Sequence, residues 1–149
     1  MEVLCRLLVA LLSLGALCGA EPVKFVECES TAEQIVVDIT PCPLQPCQLR
    51  RGHMYSVNVT FTSTISSSTS KAEIYGILSG IPIPFHIPNS DGCKSGIKCP
   101  IQKNARYSYV TSLPVKDAYP TVKLEVKWEL KDDDDKDIFC WKIPVQIIV

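Results

Sequence analysis

The sequence has little net charge and no long apolar run after its first twenty residues, and each shortage excludes a class of function. It contains 15 basic and 16 acidic residues, a balance that gives no electrostatic reason to expect nucleic acid as a partner. After residue 20 no apolar run is long enough for a membrane-spanning helix. No internal repeat, domain linker or 3.6-residue apolar period is visible there, so we predict one domain without helices.

Residues suited to catalysis are also scarce. Hydrolysis through a nucleophile needs a base such as histidine, itself oriented by a partner. The sequence has only His53 and His86, and neither lies beside a nucleophile motif such as GxSxG. The acidic run at residues 132–135 is typical of a solvated loop, and its place between two strong strand patterns predicts a hairpin tip. We therefore do not expect an enzyme.

The first twenty residues have the pattern of a secretory signal peptide. Arg6 precedes an apolar run at residues 7–17, and small residues follow up to Ala20. This order of basic, apolar and small residues predicts cleavage after Ala20. Residues 21–149 would then form the mature domain, with a charge that stays near zero.

Six cysteines remain after the predicted cleavage. An even number of cysteines in a small secreted domain implies disulfides, and six allow fifteen connectivities. Zinc is the competing interpretation, but the spacings include no CxxC and only two histidines are present, so we expect no metal. Closeness in turn-rich sequence favours two short pairs and leaves one long pair: Cys42 with Cys47, Cys93 with Cys99, and Cys28 with Cys140.

Apolar residues alternate with polar residues along most of the chain. The clearest cases are residues 55–62 and 121–130, in which every second residue is apolar. Alternation of this kind predicts strands with one buried face, and seven or eight such strands joined by turns predict an all-β sandwich. The predicted strands are residues 23–26, 35–39, 55–62, 72–78, 81–87, 107–113, 121–130 and 139–147.

The segment Gly-Ile-Pro-Ile-Pro-Phe-His-Ile-Pro, residues 80–88, is a strand pattern that contains three prolines. Proline has no N–H to donate to a sheet, and residues two apart in a strand point their N–H groups to the same edge. Pro82, Pro84 and Pro88 therefore remove donors from one edge only. We predict an outermost strand that no further strand can join.

The chain carries more apolar residues than so few strands need. The odd residues of the proline-rich strand form an apolar face, and stiff segments such as Leu113-Pro114-Val115 and Tyr119-Pro120 add to it. An ordinary filled core is the simpler interpretation for any one of these residues. Together they favour a pocket lined mostly by apolar side chains, which suits a lipid.

Asn58-Val59-Thr60 is an N-glycosylation sequon. The alternation of the strand at residues 55–62 puts Asn58 on the polar face. We therefore predict a glycan on Asn58.

Six stretches of the mature chain carry a resemblance to a known family: EPVKF, PCPLQPCQL, YSVNVTFTS, PFHIPNSDGCKSGIKCPIQK, LPVKDAYP and FCWKIPVQI. Over essentially all of residues 21–149 the chain resembles the sterol carriers of the MD-2-related lipid-recognition family. The resemblance implies an immunoglobulin-like β-sandwich of two antiparallel sheets with a lipid pocket between them. All six mature cysteines fall in the family's pattern, which implies the same three disulfides.

The resemblance also implies which residues contact the sterol. Phe85, Val115 and Tyr119 match the family's pocket positions. Where the family often has valine at position 83 and isoleucine at position 122, this chain has Ile83 and Val122. His86 stands where proline is usual. The additional residues that the resemblance places in the pocket lining are Ile83, Pro114, Pro120, Val122, Leu124 and Trp128.

The family's partners are implied in the same way. The expected ligand is cholesterol, with no other cofactor, taken from lumenal membranes and passed to the Niemann–Pick type C1 membrane protein. We expect a monomer that is secreted and lysosomal and that contacts anionic membranes transiently. The positions that match the family's partner or membrane contacts are Tyr75, where histidine is usual, Gly76, Ile77, Asp91 and Lys94. The alternatives are glycolipid recognition with a receptor, or an extracellular interaction module without a ligand.

Overall fold

The computed structural model describes residues 22–149, so the predicted signal peptide lies outside the described residues. A single 3₁₀ helix, Gly92–Lys94, is the only helix among them, and none of the described helices is long and apolar enough to cross a membrane. The strands are β1 Val26–Glu27, β2 Glu33–Thr40, β3 Cys47–Arg50, β4 Met54–Thr62, β5 Lys71–Leu78, β6 Ile81–Phe85, β7 Arg106–Pro114, β8 Lys123–Lys131 and β9 Asp137–Ile148.

The strands form two sheets. The larger sheet has the order β1-β9-β8-β5-β6, with β3 also paired to β9, and the smaller sheet has the order β2-β4-β7. The pairs are antiparallel except for β3, which runs parallel to β9. The predicted all-β sandwich of two antiparallel sheets is confirmed, with this one parallel pair as an addition.

Alternation explains how the two sheets bury their facing sides. In β4 the apolar residues Tyr55, Val57, Val59 and Phe61 are all buried, as predicted. Aromatic rings from both sheets then meet in the centre of the sandwich. Their centroids lie 5.4 Å apart for Phe61 and Phe139, 6.1 Å for Tyr109 and Trp128, and 5.5 Å for the stacked pair Trp128 and Trp141. Such contacts add to the area that the rings bury and fix the spacing of the sheets.

The proline-rich strand β6 lies at the edge of the larger sheet and pairs only with β5, as predicted. It ends at Phe85, two residues earlier than the alternation suggests. Ile83 pairs with Gly76 and Phe85 pairs with Ile74, so the odd residues of β6 share the inner face of the sheet. Ile83 is nevertheless 50% exposed, because no strand covers this edge.

The three disulfides are those predicted: Cys28–Cys140, Cys42–Cys47 and Cys93–Cys99. The first joins the segment before β2 to the middle of β9, across 112 residues of sequence. The acidic run forms the hairpin tip between β8 and β9, where Asp133 accepts hydrogen bonds from the backbone N–H groups of Ser68 and Thr69. The tip therefore holds the loop that follows β4.

Candidate functional site: an apolar cavity between the sheets

A cavity lies between the inner faces of the two sheets, near one end of the sandwich. Its enclosed volume is only about 10 Å³, room for roughly one water molecule, so the sheets are nearly closed over it and it is far smaller than the roughly 300–1,000 Å³ of ligand pockets. Every lining residue is apolar, so the cavity offers no side-chain hydrogen bond to a ligand. The lining residues are Leu49, Ile74, Phe85, Leu113, Val115, Leu124, Val126, Val145 and Ile147.

Most of the lining residues belong to the larger sheet, whose strand register brings them side by side. Leu124 pairs with Val145 across β8 and β9, and Val126 lies two residues further along the same face of β8. Because side chains alternate between faces, these residues point inward together. The smaller sheet contributes Leu113 from β7 and, just past the end of that strand, Val115. The cavity is thus bounded on both sheets by aliphatic side chains and on one side by the half-buried Phe85 ring.

Phe85, which with Leu124 is one of the two half-buried lining residues, contacts Tyr119, and we take this partly exposed side as the mouth of the cavity. Their ring centroids are 4.8 Å apart and both side chains are half-buried. Phe85 belongs to the edge strand of the larger sheet, whereas Tyr119 belongs to the segment that follows β7 of the smaller sheet. Burial raises the pKa of the Tyr119 phenol. This aromatic pair joins the edge strand β6 to the segment that follows β7.

Backbone hydrogen bonds hold the Tyr119 segment in place. The Gly52 N–H donates to the Val115 carbonyl at 2.6 Å, and the Val115 N–H donates to the His53 carbonyl at 2.9 Å. The Arg51 guanidinium donates to the Asp117 carbonyl at 3.1 Å. The backbone is held as far as Tyr119, whose N–H donates to the Lys116 carbonyl at 3.1 Å, and the Tyr119 ring packs against Phe85.

The structure gathers some of the residues that the resemblance implies and separates others. Phe85, Val115 and Leu124 line the cavity, and Tyr119 contacts Phe85. Trp128 is completely buried in the aromatic core. The other predicted contacts do not border the cavity: Ile83 and Pro120 are exposed, and Pro114 and Val122 are half-buried. Sterol contact remains a prediction for all nine residues.

Several lining residues were absent from the predicted set. Val126, Val145 and Ile147 lie on the apolar side of strands that the alternation does predict, so a signal for their burial exists. That signal does not say where along a strand the sheets separate. Leu49 lies on β3, which was not predicted because four residues are too short for a clear alternation.

The predicted partner-contact residues fall on different surfaces. Tyr75 and Ile77 point outward from β5, whereas Gly76 is buried on the cavity side. Asp91 caps the N-terminus of the 3₁₀ helix, where its side chain accepts a hydrogen bond from the Cys93 N–H, and Lys94 is the last residue of that helix. These positions therefore do not form one continuous patch with Gly76.

Gly76 leaves room for Leu124 in the cavity wall. A Cβ atom at this position would lie 2.8 Å from Leu124 Cδ1. We expect Gly76→Ala to push Leu124 into the cavity, to lower the free energy of unfolding by about 1–3 kcal/mol, and to weaken ligand binding. Denaturant unfolding and a sterol-binding titration measure the two effects. The double variant Gly76→Ala/Leu124→Val should regain part of both, and purely additive losses would contradict this packing.

Metal binding has one candidate among the described residues. Ligand atoms of Glu129, Asp137 and Cys140 lie within 4.8 Å of one another. The Cys140 sulfur is bonded to Cys28, so it offers no thiolate. The two remaining carboxylates are flanked by Lys127 and Lys131, which occupy the space near their oxygens.

Comparisons with known proteins agree with this fold and cavity. The sequence model of the ML domain family matches residues 22–147. NPC intracellular cholesterol transporter 2 from Sus scrofa is 59% identical over 138 residues, which cover 92% of this chain and 93% of that protein. The protein of the same name from Danio rerio is 57% identical over 141 residues, which cover 94% and 95%.

A solved structure supports the same assignment. The crystal structure of a Niemann-Pick type C2 protein from Japanese carpenter ant superposes with a TM-score of 0.76 at 29% identity, covering 85% of this chain and all of that one. The family model covers most of the chain, and both relatives are more than half identical to it. The chain belongs to the ML domain family.

Proposed function

We propose that this protein is a lumenal carrier of unesterified cholesterol, secreted and present in lysosomes, that holds the sterol between its two sheets. The observation that carries the proposal is the wholly apolar cavity with the Phe85–Tyr119 pair at its mouth. The identity to relatives named as cholesterol transporters supports the choice of ligand. The function is binding and transfer, without a catalytic step.

The energetics of sterol burial fit such a carrier. Burying several hundred Å² of sterol surface at about 25 cal/mol per Å² yields on the order of 10 kcal/mol before the costs of binding. The enclosed volume of about 10 Å³ is far too small for a sterol, so the walls must move apart to admit one. The half-buried rings of Phe85 and Tyr119 are placed to separate first, because each belongs to a different sheet or its continuation.

The lining also favours a sterol over the two alternatives. A glycolipid headgroup needs polar partners, and the lining side chains supply none. An interaction module without a ligand would leave the identity to relatives named as cholesterol transporters unexplained. A sterol needs mainly apolar contact, with its single hydroxyl left near the mouth.

Transfer of the sterol would use the surface near the mouth. We propose that the protein passes cholesterol to the Niemann–Pick type C1 membrane protein and touches anionic membranes during exchange. Tyr75 and Ile77, which point outward from β5 next to the edge strand, are available for such contacts, and Lys94 is exposed on a separate surface at the 3₁₀ helix. Ile81, which is 64% exposed beside the edge strand's turn, adds apolar surface.

We also propose two processing steps before secretion, signal-peptide cleavage and glycosylation. Cleavage after Ala20 would release residues 21–149 as the mature domain. A glycan on Asn58 would lie on the outer face of β4, where Asn58 pairs with Asp38 on one side and Val110 on the other. That face is opposite the cavity side of the strand, so the glycan would leave the mouth free.

Mass spectrometry of the lipid that co-purifies with the secreted protein tests the proposed ligand. Cholesterol in near-equimolar amount is the expected result. A glycolipid in its place would support the receptor-linked alternative and overturn the sterol proposal. Release of the same lipid on transfer to anionic vesicles would support the carrier role, and retention in their presence would count against it.

A further inference from the structure

A compact group of charges lies on the outer face of the larger sheet, where the alternation predicts solvated side chains. The Glu129 side chain is only 9% exposed, and those of Asp137 and Lys131 are 18% and 19% exposed. Lys127 Nζ lies 3.0 Å from Glu129 Oε1. Lys131 Nζ lies 3.8 Å from both Glu129 Oε2 and Asp137 Oδ1.

The register of the hairpin brings the two carboxyl groups together. Glu129 pairs with Cys140, but the register shifts after Leu130 so that Lys131 pairs with Asp137. This shift places Asp137 beside Glu129, with ligand atoms of the two carboxyl groups within 4.8 Å. Asp137 Oδ1 is buried and makes no hydrogen bond. Two ionised carboxylates this close repel each other, and protonation of one removes the repulsion.

The surrounding charges do not fully compensate the pair. Glu73 on β5 adds a third carboxylate, which lies 3.9 Å from Lys131 Nζ and accepts a hydrogen bond from the Tyr75 hydroxyl. Lys71 is 3.9 Å from Glu73 but is mostly exposed. On the other side the Thr31 hydroxyl donates to the Asp137 carbonyl. A further titratable group nearby is Asp135 at the tip, which acts on Lys131.

We propose that Asp137 takes up a proton beside Glu129 in acidic surroundings, and that this stabilises the β8–β9 hairpin so that the protein is more stable at acidic than at neutral pH. A neutral Asp137 carboxyl no longer repels the nearby Glu129 carboxylate and leaves Lys131 to pair with Glu129. The same hairpin also forms a wall of the cavity, because Leu124 and Val126 line the cavity from the face of β8 opposite to Glu129.

The sign of the pH effect follows from the titration of Asp137. Burial, and next the Glu129 carboxylate, raises the pKa of Asp137 from 3.8 to about 6, against the opposing effect of Lys131 and Lys127. Between these two values the folded chain binds a proton that the unfolded chain has released. The stabilisation is therefore complete below pH 3.8 and is lost as the pH rises through about 6.

Thermal unfolding of three proteins at pH 5 and pH 7.5 tests the proposal. The wild type is expected to melt several degrees higher at pH 5. Asp137→Asn should melt higher than the wild type at pH 7.5 and should lose most of the difference between the two pH values. The matched control Asp135→Asn removes the same charge at the exposed tip and should keep the wild-type difference. A full pH difference in Asp137→Asn would overturn the proposal.

Carbon NMR of the carboxyl groups gives a readout that does not depend on a stable variant. In the wild type the Asp137 carboxyl should titrate near pH 6. In Glu129→Gln the Asp137 titration should move to lower pH, because one source of repulsion is gone. A wild-type Asp137 that titrates near 4, or one unaffected by Glu129→Gln, would overturn the pairing.

Discussion

Replacing Phe85 by alanine is expected to weaken cholesterol binding by about 10- to 100-fold. The ring closes one side of the cavity mouth, and its loss removes about 1.5–3 kcal/mol of apolar contact, where 1.4 kcal/mol corresponds to a factor of ten. Because the side chain is only half-buried in the protein itself, the fold should tolerate the change. A titration with labelled cholesterol measures the affinity, and thermal unfolding reports the stability.

Variants at Tyr119 separate the role of the ring from that of the hydroxyl. Tyr119→Ala should weaken binding by a similar factor, because it removes the partner that lies 4.8 Å from the Phe85 ring. Tyr119→Phe keeps the ring and should bind nearly as well as the wild type. Val110→Ala, at an exposed site on the outer face of the smaller sheet, serves as a neutral control. Wild-type affinity in both alanine variants at the mouth would contradict the assigned site.

Removal of the Cys28–Cys140 disulfide is expected to cause the largest loss of stability. The bond closes a loop across 112 residues of sequence, and the chain-entropy relation gives about 5 kcal/mol for a loop of this length. That is a large part of the total for a domain of this size, which is typically about 5–15 kcal/mol. Denaturant unfolding of Cys28→Ala/Cys140→Ala measures the change in the free energy of unfolding.

The Cys42–Cys47 disulfide provides the matched control. Its separation is only 5 residues, for which the same relation gives about 2 kcal/mol. The double alanine variant at Cys42 and Cys47 should therefore lose less than half as much stability. Equal losses in the two double variants would contradict loop closure as the main source of stabilisation.

The parts of the fold that the sequence predicts are those in which one face of a strand is buried and the other is not. In β4 the apolar side chains enter the core and the polar ones stay at the surface, so the two-residue period is clear. The edge position of β6 follows from its prolines, since their missing donors exclude a second partner. In both cases the residues of the strand itself are sufficient to predict its place in the sheet.

The remaining features depend on contacts between distant parts of the chain. β3 exists because its four residues pair in parallel with the end of β9, almost a hundred residues later in the sequence. The cavity depends on where the sheets separate, which decides that Val126 lines it while Trp128 lies in the aromatic core. Glu129 looks solvated in the sequence, but the register shift near the tip encloses it with Asp137.

Equilibrium binding of labelled cholesterol to the purified protein, with and without Phe85→Ala/Tyr119→Ala, measures whether the cavity holds a sterol. We expect saturable binding of one sterol per chain, with competition by unlabelled cholesterol and a loss of at least tenfold in affinity in the double variant. No saturable binding by the wild type would overturn the proposed carrier function, and binding that the double substitution leaves unchanged would overturn the assigned site.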